Sequence, residues 1–331
     1  MSHSCLVIGA GIAGIIAARR LLKLDWQVTV LEKSKGLGGR MATRRIGEAV
    51  FDHGAQFFTM HSMFFRVLVE HMQDEGVVGE WSRGFLNGDR ILSLDGYLRL
   101  YGRAGMSAVA KYLAEPLDVR MQEDVLAIEA IGPKWRVRCK SGSEFEADSL
   151  ILTAPLPQAL TLVQQIPAFD PELEKRLKEL KYEPCITVMA TLDGPSGIPD
   201  PGAIASADPM SPIAWMADNR IKGISPVDCV TIHGTGHFSR QHWKLDREAA
   251  GDMLWQAAQP LLAADRVEMQ CHGWRFARPV TVLPENYLMV QQTPPLLLAG
   301  DAFGDMFHPV EGAALSGLEA AKHLSKLLHS P

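Results

Sequence analysis

Residues 5–33 read CLVIGAGIAGIIAARRLLKLDWQVTVLEK. Cys5 to Ile8 is an apolar run of strand length, a glycine turn follows, and an alanine-rich segment to about Lys23 has the composition of a helix. Gln27 to Leu31 then reads as a second buried strand. Gly9, Gly11 and Gly14 have the G-x-G-x-x-G spacing. Gly9 permits the tight turn, and Gly14 lets helix and strand pack closely. Gly11, with Ile12 and Ala13 opening the helix, lets backbone amides approach a pyrophosphate at the positive helix end. Glu32 closes the second strand, with Lys33 beside it, where a carboxylate accepts hydrogen bonds from an adenosine ribose. Glycines also mark ordinary turns, but the strand before, the helix after and the acid at this distance point to a dinucleotide-binding βαβ unit. NAD and FAD both use it.

The next stretch, EKSKGLGGRMATRR (32–45), holds Gly36, Gly38 and Gly39 just ahead of Arg40. Those glycines let the chain pass close beside a bound dinucleotide, and the guanidinium offers a planar fork to phosphate or carbonyl oxygens. An NAD dehydrogenase needs no second glycine–arginine clamp directly after its ribose acid. FAD enzymes of the amine-oxidase type have one, in an E…G-G-R pattern that Glu32, Gly38, Gly39 and Arg40 resemble. Arg45 reads as a solvated charge, and Arg44 fits either that or a contact. The block FDHGAQFFT (51–59) resembles the D-x-G-A-Q/H segment that passes near the flavin ring in the same enzymes. Read as a strand and turn, it carries Asp52, Gly54 and Gln56 where a core needs no polarity, so Gln56 and Phe57 are placed at the cofactor.

Near the other end, PLLLAGDAFGD (295–305) is a buried strand ending in Gly300-Asp301. It resembles the strand of glutathione-reductase-type flavoproteins whose aspartate bonds the ribityl chain or a phosphate. Ala314, Leu315, Leu318, Ala321, Leu324, Leu327 and Leu328 recur at helical spacing, which predicts a helix from about Gly312. Its start, Glu311-Gly312-Ala313, would face the flavin pyrimidine edge, where the helix dipole favours negative charge.

The bulk composition bounds the class. A chain of 331 residues, 47% hydrophobic, buries a large core without staples. Its five cysteines include no C-x-x-C pair, which fits a reducing, cytoplasmic setting rather than a disulfide framework or structural zinc. A net charge of −5 argues against nucleic acid as a partner. The apolar N-terminal run is broken by glycines and closed by Arg19 and Arg20, so it reads as structure rather than a leader. No uninterrupted apolar run is long enough to span a membrane.

Between the two ends, GMSAVAKYLAE reads as a helix, and the resemblance to these flavoproteins implies that the strand around Val125 offers its backbone to adenine. The expected fold is α/β, a Rossmann-type FAD-binding domain formed by 1–61, 99–155 and 289–331. An α+β substrate domain formed by 62–98 and 156–288 is inserted in it.

Taken together, VIGAGIAG, GGRMATR, DHGAQFFT, GWRFARP (273–279) and AGDAFGDMFHPVEGAALSGLEA resemble the renalase family, within the wider amine-oxidase and desaturase pattern. That resemblance implies a two-domain p-hydroxybenzoate-hydroxylase-like fold and non-covalent FAD. It also implies oxidation of the 2- and 6-dihydro isomers of NAD(P)H to NAD(P)+, with electrons passed to oxygen to give hydrogen peroxide. No cysteine follows Cys271 to carry a covalent flavin, and the strand YEPCITVMATLD has no lysine after Lys181 to sit beside the ring. An amine oxidase or desaturase of the same fold, and a flavin-bearing protein without turnover, are the alternatives. No side-chain base is expected, since the reaction is mostly ring placement.

His233, His237 and His242, on a strand and loop, match no zinc spacing, so no metal is expected, and pocket roles for His233 and His242 fit better. Trp274 and Arg275 suit core or pocket equally, and His61 is a further pocket candidate. Oligomeric state and the choice between NAD and NADP isomers are not legible.

Overall fold

A computed structural model of the chain describes residues 3–167 and 169–329. Positions 1, 2, 168, 330 and 331 of the ranges above lie outside the described residues. A six-stranded sheet runs in the order Leu288–Gln292, Pro295–Leu298, Ser149–Leu152, Ser4–Ile8, Gln27–Glu32, Asp118–Met121. All its neighbours are parallel except the first pair, which is antiparallel. Alternation fixes its two faces. Cys5, Val7, Val28, Val30, Ile151 and Leu297 pack on the helices Ile12–Leu22 and Pro309–His329. Leu6, Ile8, Leu31, Leu150, Leu152, Leu296 and Leu298 pack on the opposite layer, which includes Trp135 and Val137 of a three-stranded sheet.

The first and last helices approach closely. A Cβ on Gly317 would fall 2.0 Å from the Ala13 carbonyl oxygen, so only glycine admits that crossing. The last helix begins at Pro309, almost one turn before the spacing suggests, because proline is well suited to a first turn and invisible to apolar periodicity.

The second, seven-stranded sheet is ordered Arg266–Pro279, Tyr182–Leu192, Cys229–Gly234, Ile213–Asp218, Ala203–Ala205, Val78–Leu86, Leu92–Gly102. It is antiparallel but for the contact between Ala203–Ala205 and Val78–Leu86. Its strands come from two stretches of chain lying between segments of the first sheet. Ile186, Val188, Val230 and Ile232 turn one face toward the helix Arg247–Ala258. By the same alternation, Thr187, Met189 and His233 belong to the other face.

Candidate flavin site and substrate cavity

A cavity of about 710 Å³ lies between the glycine turn of the first sheet and the free face of the second. Gly11, Ile12 and Ala13 line one end. Gly9 has φ +110°, and a Cβ on Gly14 would fall 2.0 Å from the Gly9 carbonyl oxygen, so both glycines are demanded by the turn itself. Gly11 differs: a Cβ there would meet nothing within 4 Å. It is also the N-cap of Ile12–Leu22, with no side chain capping the helix amides. An uncapped helix start opening on a cavity is an anion cradle.

Gly38 (φ +102°) bonds its amide to the Ala10 carbonyl at 2.9 Å and shares a bridge with Gly11, which brings the second glycine loop against the first. Arg40 follows, held by a fork to Asp301: its Nη2 donates to Oδ1 at 2.7 Å, and its Nη1 to Oδ2. Tyr182 donates to the same carboxylate at 3.3 Å. The glycine–arginine segment and the Gly300-Asp301 turn, 261 positions apart, therefore meet in one ion pair on the cavity wall. Gly300 has φ +136° and its amide is tied to Ser316 of the last helix, while Pro309, Val310 and Ala313 line the cavity beside it.

Several residues expected at the cofactor are not among those lining this cavity. Both Glu32 oxygens are engaged by backbone, Oε2 by Ala10 N and Oε1 by Ser34 N, each at 2.8 Å, so this carboxylate shapes the two loops. Lys33 is exposed and reaches Gln158. The strand through Phe51 ends at Asp52 rather than running on through Gln56. Gln56 is buried, with its amide bonded to backbone carbonyls of the same loop, and Phe57 stacks into a cluster with Trp81, Phe85 and Trp215. Val125 opens an outer strand and packs on the core around Trp135. Glu311 is buried and accepts the amides of His61 and Ser62 at 2.8 and 2.6 Å, which ties the last helix to the chain before Met63–Asp74. Gly312 is needed because a Cβ would sit 2.6 Å from the Asp305 carbonyl oxygen.

Of the pocket candidates, His233 and Trp274 line the cavity, and the other three do not. His61 is exposed and its ring lies 3.7 Å from that of His308. His237 and His242 sit on a short helix, Gly236–His242, rather than on strand and loop; His237 lines the cavity, and His242 packs on Phe238. Arg275 is exposed, its guanidinium over the Phe276 ring. No metal-binding group of three side chains is present among the described residues.

The free face of the second sheet supplies what the motifs did not show. Thr187 pairs across to His233 on one side and to His272 on the other, which sets the two imidazoles in one row. His53, from the loop after Asp52, stacks on Trp274 at 5.1 Å and stands edge-on to His272, also at 5.1 Å. The Trp274 indole donates to the His53 carbonyl at 2.8 Å. Burial pushes His53 down to about 3, His233 to about 4 and His272 to about 4, with neighbouring imidazoles adding to the shift at His53, so all three are neutral at pH 7. Beneath them Lys222 and Asp52 form an ion pair, each fully buried, at 2.7 Å. Lys222 also donates to the Gln56 carbonyl at 2.6 Å and faces the Trp81 ring at 4.6 Å, while Asp52 takes the Met106 amide at 2.7 Å. Among the described residues, no lysine lines the cavity.

The family model described as flavin containing amine oxidoreductase matches residues 75–325, and that described as an NAD(P)-binding Rossmann-like domain matches 7–70. The chain belongs to the flavin-containing amine oxidoreductase family. Its cofactor is non-covalently bound FAD. The open, uncapped helix start at Gly11 and the adjoining Gly38 loop fit the pyrophosphate of such a group.

The chain is also similar to renalase of Mus musculus, 24% identical over 96% of this chain and 98% of that protein, so the resemblance read from scattered motifs extends end to end. Among solved structures it is similar to cyclohexylamine oxidase from Brevibacterium oxydans (TM-score 0.74, 14% identity, all of both chains). It is likewise similar to a fatty acid isomerase from P. acnes (TM-score 0.70, 13% identity, 97% and 98% of the two chains). At that identity the likeness is one of fold. No helix among the described residues is long and apolar enough to cross a membrane.

Proposed function

We propose that this flavoprotein oxidises the 2- and 6-dihydro isomers of NAD(P)H to NAD(P)+, with oxygen as the final acceptor and hydrogen peroxide as the second product. The observation that carries the reading is that no buried or half-buried side chain of the described cavity wall is a poised base; His237 and Asp208, which also line it, are exposed. Asp301 is held by Arg40, and Glu183 by Arg240 and Arg278. The imidazoles of His53 and His233 on that wall, and of His272 packed against His53, are neutral but of such low basicity that they are poor proton acceptors at pH 7.

A dihydropyridine needs no base: losing hydride restores its aromaticity, and no proton leaves first. FAD, when bound, supplies the hydride acceptor and the route of the electron pair to oxygen. The chain contributes shape and placement. Trp274, fixed by its bond to the His53 carbonyl, gives a flat apolar wall, and the neutral histidine row offers hydrogen-bonding groups without adding charge. The end-to-end similarity to renalase supports the same substrate class.

Anaerobic stopped-flow absorbance tests it. Holoenzyme mixed with the 2- or 6-dihydro isomers should bleach rapidly, and with ordinary 4-dihydro NADH only slowly. Rapid bleaching by primary amines, with the isomers inert, would replace this reading by amine oxidation. Bleaching by neither class would leave a flavin-binding protein without this activity.

A further inference from the structure

We propose that Arg240 and Arg278, bridged by Glu183, form an anion subsite at the mouth of the cavity that grips the phosphates of a dinucleotide substrate. The proposal rests on the dihydronicotinamide reading above. The three residues come from the second sheet and its short helix, not from the glycine turns that cradle the cofactor. Glu183 lies on Tyr182–Leu192 in register with Arg278 of the neighbouring strand, and Arg240 on Gly236–His242. All three line the cavity. Arg278 is 75% exposed and Arg240 55%, against 21% for Glu183, so the guanidinium groups stand where the cavity meets solvent with the carboxylate behind them.

The carboxylate aims the arginines. Oε1 takes Nη1 of Arg240 at 3.1 Å, and Oε2 takes Nε and Nη2 of Arg278 at 2.9 and 2.7 Å. Gly236 makes room for it, since a Cβ there would lie 2.7 Å from the Glu183 Cδ. Nη2 of Arg240 and Nη1 of Arg278 then have no protein acceptor among the described residues. Two planar donors splayed by one shared anion present the fork geometry that phosphate oxygens accept.

Charge points the same way. The trio carries a net +1. Of the other two carboxylates of the lining, Asp301 is held by Arg40, and Asp208 is exposed and takes the Met210 amide on Oδ1 at 2.9 Å. A cationic amine would have to enter past two guanidinium groups, whereas a pyrophosphate meets them as partners.

The test uses holoenzyme and the variants R240A, R278A, R240A/R278A, R240K and R278K, each checked for bound flavin by its absorbance. Two readouts are compared. One is KM for the 2- or 6-dihydro isomers of NADH against the corresponding phosphate-free ribosides. The other is Kd for NAD+ against nicotinamide riboside, from the perturbation of the flavin spectrum. Each alanine variant should raise KM and Kd for the dinucleotides by about tenfold, with kcat little changed and the riboside values within about twofold of wild type.

The lysine variants, which keep charge and lose the fork, should show a smaller rise confined to the dinucleotides. They also decide the matter if the alanine variants do not retain flavin. Raising the salt should weaken dinucleotide binding to wild type more than to the double variant. Equal effects on dinucleotide and riboside, or no effect on either with flavin retained, would reduce the trio to a surface ion-pair network and overturn the proposal. If wild type turns over none of the isomers, the substrate reading falls, and the NAD+ against riboside binding comparison still decides the subsite.

Discussion

Replacing Lys222 with methionine keeps the length of the side chain and removes its charge from a site where neither partner of the Lys222–Asp52 pair is exposed. The variant leaves the Asp52 carboxylate buried with the Met106 amide and the Thr43 hydroxyl as its remaining donors. Breaking a buried pair in this way costs about 3–5 kcal/mol, because the orphaned charge keeps its desolvation penalty. For a chain of 331 residues the entropy of unfolding is roughly 0.7 kcal/mol/K, so the melting temperature should fall by about 4–7 °C. The partner variant, Asp52→Asn, should cost a similar amount by leaving the ammonium alone with the Gln56 carbonyl and the Trp81 ring. The double variant removes both charges and should be less destabilised than the sum of the singles by about 2 kcal/mol or more. Calorimetric melting of all four proteins, saturated with FAD at pH 7, measures this cycle. Additive effects, or a single-variant loss under about 1 kcal/mol, would mean that the site is hydrated and that the reasoning from burial is wrong.

Three further outcomes follow from the same structure. Gly14→Ala and Gly11→Ala should separate folding from cofactor retention: the first drives a methyl onto the Gly9 carbonyl and should lower soluble yield. The second meets no protein atom within 4 Å, so it should fold normally and lose FAD on dialysis. Acid should destabilise the protein through its histidines. His53 is held near pKa 3 against an unfolded value of 6.5, so the folded state binds fewer protons between those limits and stability falls as pH falls through that window. For His53 alone the loss from pH 7 to pH 5 is about 2 kcal/mol, and thermal melts of His53→Asn, which cannot titrate, should show a smaller drop over the same range. Glu311→Gln keeps an acceptor for only one of the His61 and Ser62 amides and sets its NH2 donor against the other; a melting temperature lowered by about 1–4 °C checks whether the doubly accepting carboxylate anchors the last helix.

What the sequence revealed and what it hid divide along a physical line. Gly9, Gly14, Gly38 and Gly300 were legible because a positive φ or a backbone approach of about 2 Å admits no other residue, and such demands leave a mark at fixed spacing. Asp301 and Arg40 were legible as candidates for the cavity wall, but their ion pair was not, since nothing local announces a contact across 261 positions. The histidine row was hidden for a related reason. His233, Thr187 and His272 meet through the register of three strands, and register is set by pairing partners that lie far apart in the chain. The strand alternation that sets His272 and Trp274 two apart was a usable signal, and the GWRF motif began one residue too late to include it. Phe57, His61, His242 and Arg275 have the right chemistry for a pocket and face elsewhere, which composition alone could not show.

The clasp between Arg40 and Asp301, with Gly317 seated on Ala13 beside it, sets an order of events during synthesis. A ribosome releases the glycine cradle first, yet the wall opposite it, at Asp301, arrives 261 positions after Arg40. A nascent chain halted before that point carries half a seat and should emerge colourless, however much FAD surrounds it. Capture of the yellow cofactor is thus a report that translation has passed Asp301.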